Sequence, residues 1–565
     1  MWKKVLSIVL STLLCCLVFA SCKQEDTVIT LPVDAIPSSC DPAVSETAAG
    51  STLAANCYEG LVRVDENGNV QKAAADHWSI SDDGLTYTFI LRDGLTWHVP
   101  DADSADSARR NPLGEDFILN FPAAMTADDF VFGIQRAVAA HTLSPGASRL
   151  FGIVNAPAVY AGEKKTSALG VSAPDEHSVR IKLSAPDSNF LTALASPCAM
   201  PCSRAFFEET AGRYGLSAGM TLCNGPYYIS SYDQNGTSVT MTKNPDYQGL
   251  TPGDIDQCVL ACGKEVVSDG EEKVIDILSD LRSDEGILDG AILSSAAADS
   301  LPRDFETTEY YNLINAVLFN MGSDFSGNED LRLALTTATD TSMLIADGKK
   351  AAEGLLPYCC NSVSGTPYRL AAGTVPNRKV NLKKAKQYLA TAREKFEAAA
   401  TPDEPAPTSF DIRFVCLESD KKPVQSLVQN WQKVFGSDLN IAIETKETET
   451  DLQETLVAGA YDVAFAPIHC SELVATNVLK QFSGETDANV VHLASDEYDA
   501  FLLGAASAKD PETVTGYCLA AEQYLIKQGI LLPVSQGSTL LAVKKKTAGG
   551  LKVLPTGDTY LVYLI

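Results

Sequence analysis

The chain has 565 residues, 45% of them hydrophobic, and a formal charge of −28 from 72 acidic against 44 basic side chains. At about 100–200 residues per domain, that length holds several domains with substantial cores. The acid excess excludes a nucleic-acid binder, which needs a basic footprint. It suits solubility beside an anionic membrane, or a cationic or zwitterionic ligand.

The chain opens on an export signal. Met1-Trp2-Lys3-Lys4 is basic, Val5 to Phe19 is almost wholly apolar, and Ala20-Ser21-Cys22 ends the run with small residues. This is the layout of a secretory leader, and it is shorter than the roughly 20 apolar residues of a membrane span. Losing Lys3 and Lys4 with it takes the charge from −28 to −30. Val18-Phe19-Ala20-Ser21-Cys22 resembles the bacterial lipobox, with Phe19 where Leu is usual. The resemblance implies that Cys22 is acylated, that 1–21 is removed, and that 22–27, with Lys23-Gln24-Glu25-Asp26, is a tether. A diacylglyceryl group plus an amide-linked chain supplies the two signals of stable anchoring. The alternative is a soluble secretion signal that merely ends at Cys22.

Beyond the tether, Val28 to Pro32 reads as a strand and Ser51 to Arg63 as a helix. Asp82-Asp83-Gly84 turns the chain into Leu85, Tyr87, Phe89 and Leu91, whose period-2 alternation predicts a hairpin. Residues 98–121 are polar and Pro-containing, the expectation for an inserted surface loop. Thr126 and Asp129 have capping-box spacing. Leu382, Ala385, Leu389, Ala392 and Phe396 share a helical face, as do Val424, Leu427, Val428, Trp431 and Phe435. Residues 398–408 read as a solvent loop, and Phe410 to Phe414 and Ile441 to Ile443 as strands. Ile530 to Val534 and Leu540 to Val543 are buried-strand candidates. Trp78, Trp97 and Trp431 read as core, and Asp82-Asp83 and Asp128-Asp129 as turn and cap residues rather than catalytic pairs. The class is α/β with mixed sheets.

Little in the chain points to covalent chemistry. There is no HExxH, P-loop or GxGxxG, and no serine nucleophile is assigned. The six histidines, at 77, 98, 141, 177, 469 and 492, lack metal spacing. Thirteen cysteines lie at or beyond Cys22, none in CxxC spacing. Export permits disulfides, but their connectivity is not legible, and buried thiols acting as small apolar residues are the plainer reading.

Several segments together resemble one family. Cys57-Tyr58-Glu59-Gly60-Leu61-Val62, Ser81 to Phe89, Leu91-Arg92-Asp93-Gly94-Leu95-Thr96-Trp97, Met125 to Phe130, Leu169-Gly170-Val171, Asn224-Gly225-Pro226-Tyr227 and Lys243-Asn244-Pro245-Asp246-Tyr247 follow in order. Asp330-Leu331-Arg332 with Asp340, and Ala385 to Leu389, continue the series. The likeness is to the peptide/nickel (family 5) solute-binding proteins of ABC importers, and among them to oligopeptide-binding lipoproteins.

The resemblance implies a two-lobed periplasmic-binding-protein-like fold with mixed sheets, a hinge and an interlobe cleft. Lobe one is expected over 28–255, with an inserted small domain at about 60–200. Lobe two is expected over 256–530, and 531–565 returns to lobe one. It also implies a peptide or other small-molecule ligand, ABC permease subunits as partners, a monomer, no cofactor, and an extracytoplasmic location with the membrane reached through the lipid anchor. Gly50 and Ser51 match a stretch that runs along the ligand as an extended strand, or else form a loop before the helix. Asn224 falls in a turn near the cleft. After the strand Tyr461 to Ala466, His469 and Cys470 sit at the cleft edge. The amine-binding aspartate of the family falls near Ser471, with Glu472 adjacent; a carboxylate there either meets a ligand ammonium or is solvated. His469 and Cys470 are too few for a metal site. Ser535 and Gln536 replace family aromatics at the ligand. Alternatives on the same fold are a nickel chelate or sugar ligand, or a ligand sensor; an exported hydrolase is the remaining class.

Overall fold

The computed structural model describes residues 27–564 except 34, 45–46, 66–68, 101–112, 114, 233–235, 263, 267–271, 275, 346–348, 363–366, 404, 471–473, 485, 487–488, 509 and 557–558. The leader, Cys22, Ser471 and Glu472 therefore lie outside the described residues. Among the described residues no helix is long and apolar enough to cross a membrane.

Two bodies are built from separate sheets. The first holds a four-stranded sheet ordered Val28–Val33, Gln257–Cys262, Ser238–Lys243, Tyr227–Tyr232. The alternation read around Leu85 to Leu91 forms a second sheet, ordered Ala75–Ile80, Thr86–Leu91, Ser178–Lys182, Val171–Asp175. Tyr87, Phe89 and Leu91 point into the core and their neighbours outward. One contiguous core joins both sheets, from Ile29 to Leu260.

The other body is a six-stranded mixed sheet ordered Gly290–Ser294, Leu531–Lys544, Phe305–Phe319, Val463–His469, Phe410–Leu417, Leu439–Lys446. One face is covered by helices Glu329–Ala338, Leu382–Ala399 and Lys421–Phe435. The second of these buries Ala385, Leu389 and Ala392, while Leu382, at its start, is exposed. The third buries all five residues of its apolar stripe. Trp431 stacks on Phe414 and donates its indole N–H to Thr339 Oγ1 at 2.9 Å. Helices Ala475–Lys480, Asp496–Ser507 and Pro511–Lys527 cover the other face.

Three expectations need revision. Residues 98–121 are not loop throughout: Glu115–Asn120 is helical, because Phe117 and Phe121, one turn apart, pack on Phe206. Gly50 and Ser51 are neither strand nor loop. They lie in helix Ala48–Cys57, which starts before Ser51 because Thr47 caps it through the Gly50 N–H at 3.0 Å, and which ends short of Arg63, where Val62–Val64 is a strand. The two strand candidates near the end are one 14-residue strand, Leu531–Lys544.

The chain passes between the bodies twice, between residues 262 and 290 and between 544 and 551. Strand 257–262 belongs to the first sheet, and strand 531–544 pairs with 305–319 in the six-stranded sheet. Contact of the C-terminal segment with the first core comes from Leu541, Val543, Leu551 and Leu564. At the crossing, Asp289 and Thr30 exchange backbone and carboxylate hydrogen bonds: Asp289 N donates to Thr30 O at 2.9 Å and Thr30 N to Asp289 Oδ2 at 3.0 Å. Lys544 N donates to Asp289 O at 2.7 Å.

The capping box is present, with Thr126 N donating to Asp129 Oδ2 at 2.8 Å. Burial pushes the Asp129 carboxyl up to about 6. The folded state therefore holds a proton there more tightly than the unfolded chain does. That contribution is complete below about pH 4 and is lost as pH rises through about 6. Asp129→Asn should flatten this part of the stability profile, read as melting temperature against pH from 4 to 7.

Candidate ligand site

The site forms where parallel strands 410–417, 439–446 and 463–469 end on one edge of the six-stranded sheet, the usual place for a ligand crevice in α/β folds. His469 is the last residue of its strand, paired with Leu313. Its Nε2 lies 3.2 Å from Glu449 Oε2 at the start of helix Glu449–Val457. This hydrogen bond holds the Glu449 carboxyl below its ordinary range. The next residue, Cys470, donates its N–H to Asn312 O at 3.0 Å.

Strand 305–319 shapes the rest. Its register with 531–544 slips between Tyr310 and Leu313 and again between Asn315 and Ala316. Such irregularities bend a strand and re-aim its side chains. Ser535, Gln536 and Gly537 lie opposite Asn315, Ile314 and Leu313. Ser535 Oγ accepts from Asn315 Nδ2 at 3.2 Å, and Gln536 N donates to Lys350 O at 2.8 Å. A Cβ on Gly537 would come within 2.0 Å of Leu313 Cδ1, so only glycine fits without displacing that side chain. The Gln536 side chain shares a sheet face with its paired neighbour Ile314, which in turn pairs with Ile468. It is 1% exposed, and neither its Nε2 nor its Oε1 has a protein partner. A buried amide unsatisfied at both ends costs roughly 1–3 kcal/mol per group unless a water or ligand meets it.

A segment of irregular chain, 350–360, closes over this edge. Cys359 N donates to Tyr311 O at 3.0 Å, and Lys350 Nζ sits 4.2 Å over the Tyr311 ring. Glu309 accepts from Ser538 Oγ at 2.6 Å and Tyr311 OH at 2.8 Å, which keeps its carboxyl below the ordinary range. The segment is anchored on a fully buried carboxylate. Glu522 accepts from Leu355 N at 2.7 Å and Tyr368 OH at 3.2 Å, and pairs with Arg369. A Cβ on Gly354 would meet Glu522 Oε1 at 2.3 Å.

The structure thus brings His469, Cys470, Ser535 and Gln536 together around one strand. Gly50, Ser51 and Asn224 lie in the first body. Ser51 lines a cavity there with Ala55, Glu59, Val64, Ala195 and Met200. Asn224 uses both ends of its amide on the Glu59 backbone, at 2.9 and 3.0 Å, which ties the 224–226 turn to the end of helix 48–57. The bodies touch beside this cavity. Val64 is buried with the second body's core, and Ala195 packs against it. Asn189 Nδ2 donates to Thr476 Oγ1 and, at 3.3 Å, to Asn477 Oδ1. Ser188 N and Oγ donate to Ala506 O and Ala505 O at 3.2 and 3.3 Å. Glu309, Tyr311, Asn312 and the 350–360 segment went unread in sequence. Their one signal was polar residues, Asn312 and Asn315, set in the otherwise apolar or aromatic run 310–319.

The run Gly215-Leu216-Ser217-Ala218-Gly219 does match Gly-x-Ser-x-Gly. It is not a nucleophile elbow, which turns sharply from strand to helix. Here the run follows helix Arg204–Glu209 and enters the short helical turn Ala218–Met220, and Ser217 has ordinary extended backbone, φ −156°.

Residues 69–490 match the family described as bacterial extracellular solute-binding proteins, family 5 middle region. The probable deoxycholate-binding periplasmic protein YgiS of Escherichia coli is 25% identical over 91% of this chain and 88% of its own. The periplasmic oligopeptide-binding protein OppA of Salmonella typhimurium is 25% identical over 93% of this chain and 90% of its own. The unliganded open form of the murein tripeptide-binding protein MppA superposes with a TM-score of 0.66 at 22% identity, covering 96% of this chain and 98% of that one. This fold is the two-lobed one of the periplasmic binding proteins, and the chain belongs to the bacterial extracellular solute-binding proteins, family 5.

Proposed function

We propose that this chain binds oligopeptides outside the cell as a lipoprotein, held to the membrane by acylated Cys22, and hands them to the permease of an ABC importer as a monomer without altering them. The two bodies are the lobes, Asp289 and Thr30 mark the hinge, and the contact of 188–195 with 476–477 and 505–506 is the closed lip. The ligand lies between hinge and lip, against the edge carrying His469, Cys470, Ser535 and Gln536. Closure of this kind buries a ligand between domains.

The observation that favours a peptide is the Gln536 amide. It presents one acceptor and a pair of donors, unmatched and buried, and a peptide group offers the complementary N–H and C=O. Glu472, next to the replaced aspartate position, supplies a carboxylate for the ligand's ammonium. The name of YgiS supports a second reading, a bile-acid-like solute in the same cleft. Such a solute carries hydroxyls and a carboxylate but no peptide group to pair with Gln536.

Native mass spectrometry of the purified protein for co-captured ligand separates the two readings, with titration calorimetry against a tripeptide, a tetrapeptide and deoxycholate. Gln536→Leu removes one or two neutral hydrogen bonds of about 0.5–1.5 kcal/mol each. Peptide affinity should fall about tenfold while the melting temperature holds or rises, because the orphan amide is gone. Unchanged affinity would remove Gln536 from the ligand. Glu472→Gln should weaken binding of a free peptide sharply and of its N-acetylated form little; equal losses for the two would sink the ammonium role.

A further inference from the structure

Basic side chains are segregated in this acidic chain. Residues 354–393 carry seven of them and no carboxylate, where a stretch this long at the chain's average of 72 acids in 565 residues would hold about five. Arg369 and Arg393 are paired with Glu522 and Asp438. The other five, Arg378, Lys379, Lys383, Lys384 and Lys386, crowd the entry to helix Leu382–Ala399 and its first turns. None of the five has an ion pair with a described residue. Arg378 Nη2 donates to Lys527 O, and Lys384 Nζ lies 5.3 Å from the centre of the Tyr388 ring. The four lysines are exposed, and so are Val380 and Leu382 among them, at 49% and 47%. Folding alone gives no reason for this placement. Asn381 caps the helix by accepting from Lys384 N at 3.0 Å, and the first turn holds no acidic residue. Lysines there face the positive end of the helix dipole and one another, which disfavours the helix.

We propose that the patch 378–386 is a docking surface for an anionic lipid membrane. Lipid phosphates answer the unpaired lysines, and Val380 and Leu382 enter the headgroup boundary while the long lysine side chains keep their ammonium groups in the polar layer. Clusters of this size beside a membrane bind anionic headgroups. The rest of the chain is acidic and is repelled, but at physiological salt charges act over only about 8 Å, so the face nearest the lipid decides. The patch therefore turns one face of the second body toward the membrane. The chain ahead of the first strand favours this occupant. Residues 22–27 reach at most about 20 Å when extended, and Thr27 is held in the first body through Asp256 at 2.7 Å. A protein tied at Cys22 thus stays beside the lipid, where the high effective concentration lets a weak surface bind. That last step rests on the lipid anchor proposed above; the charge of the patch does not.

The test uses the whole mature chain without its lipid, as Cys22→Ser. It is sedimented with vesicles of phosphatidylcholine alone, or of phosphatidylcholine and phosphatidylglycerol in equal parts, at low salt and at about 0.5 M salt. Binding is expected to the anionic vesicles only, and to be lost at high salt. Each lysine near an anionic surface is worth about fivefold in partitioning. The double variant Lys383→Gln, Lys384→Gln should therefore bind about tenfold more weakly or worse, while its melting temperature holds or rises because the helix dipole is relieved. The same charge change in the first body, Lys164→Gln with Lys165→Gln, should cost less than about twofold, since those lysines lie outside the patch. Absence of binding to anionic vesicles, equal losses in the two double variants, or salt-insensitive binding to phosphatidylcholine alone each overturns the proposal. Patch-dependent binding of polyglutamate without vesicle binding overturns it in favour of an acidic protein partner. Because the sample carries no lipid, a negative result leaves the Cys22 anchor standing, and a Cys22 found unacylated in the cell leaves the vesicle result standing.

Discussion

Backbone hydrogen bonding along strand 305–319 is the constraint on which the site depends. The strand is buried over its second half and pairs with 463–469 on one side and 531–544 on the other. Buried N–H and C=O groups must find partners. Where the register with 531–544 slips, the Tyr311 carbonyl accepts from Cys359 N–H, while Asn312 O continues the 463–469 ladder by accepting from Cys470 N–H. The slip thus brings the 350–360 segment to the end of that regular ladder. It also sets Ser535, Gln536 and Gly537 opposite Leu313 to Asn315.

A polar network supports that arrangement from behind. Glu522 has lost all contact with solvent, and burial raises its carboxyl even against the Arg369 guanidinium. A buried charge in this position is tolerable only when its neighbours answer it fully. Leu355 N–H, Tyr368 OH and Arg369 do so. Removing one partner would leave the others uncompensated, so the network holds the irregular 354–356 chain more firmly than apolar contact alone would. Gly354 belongs to the same requirement, since no side chain fits beside Glu522 and Arg369.

The two bodies meet in two chemically different ways. Where the chain crosses between the bodies, Asp289 is joined to Thr30 and Lys544 by backbone and carboxylate bonds. Between residues 188–189 and the second body, the contacts of Asn189 and Ser188 are neutral side-chain and backbone hydrogen bonds to helices Ala475–Lys480 and Asp496–Ser507. Neutral hydrogen bonds at an interdomain surface contribute little net free energy each. Bond for bond, this second contact is therefore easier to part than the crossing, where a carboxylate and paired backbone groups take part.

The amino-acid sequence determined what depends on local pattern. The period-2 run through Tyr87 and Phe89, the helical stripes ending at Ala392 and Phe435, the capping box at Thr126 and the ordered family motifs all follow from side-chain alternation and caps, which neighbouring residues set. What joined residues hundreds of positions apart was decided only in three dimensions. The helix over Gly50 and Ser51 needed Thr47 as its cap, and the helix 115–120 needed Phe206 to pack on. The docking of Cys359 on the Tyr311 carbonyl, and the register that sets Gln536 opposite Ile314, needed the slipped ladder of strand 305–319. No local period encodes a slip, because it arises from how strands of different length share one set of backbone hydrogen bonds.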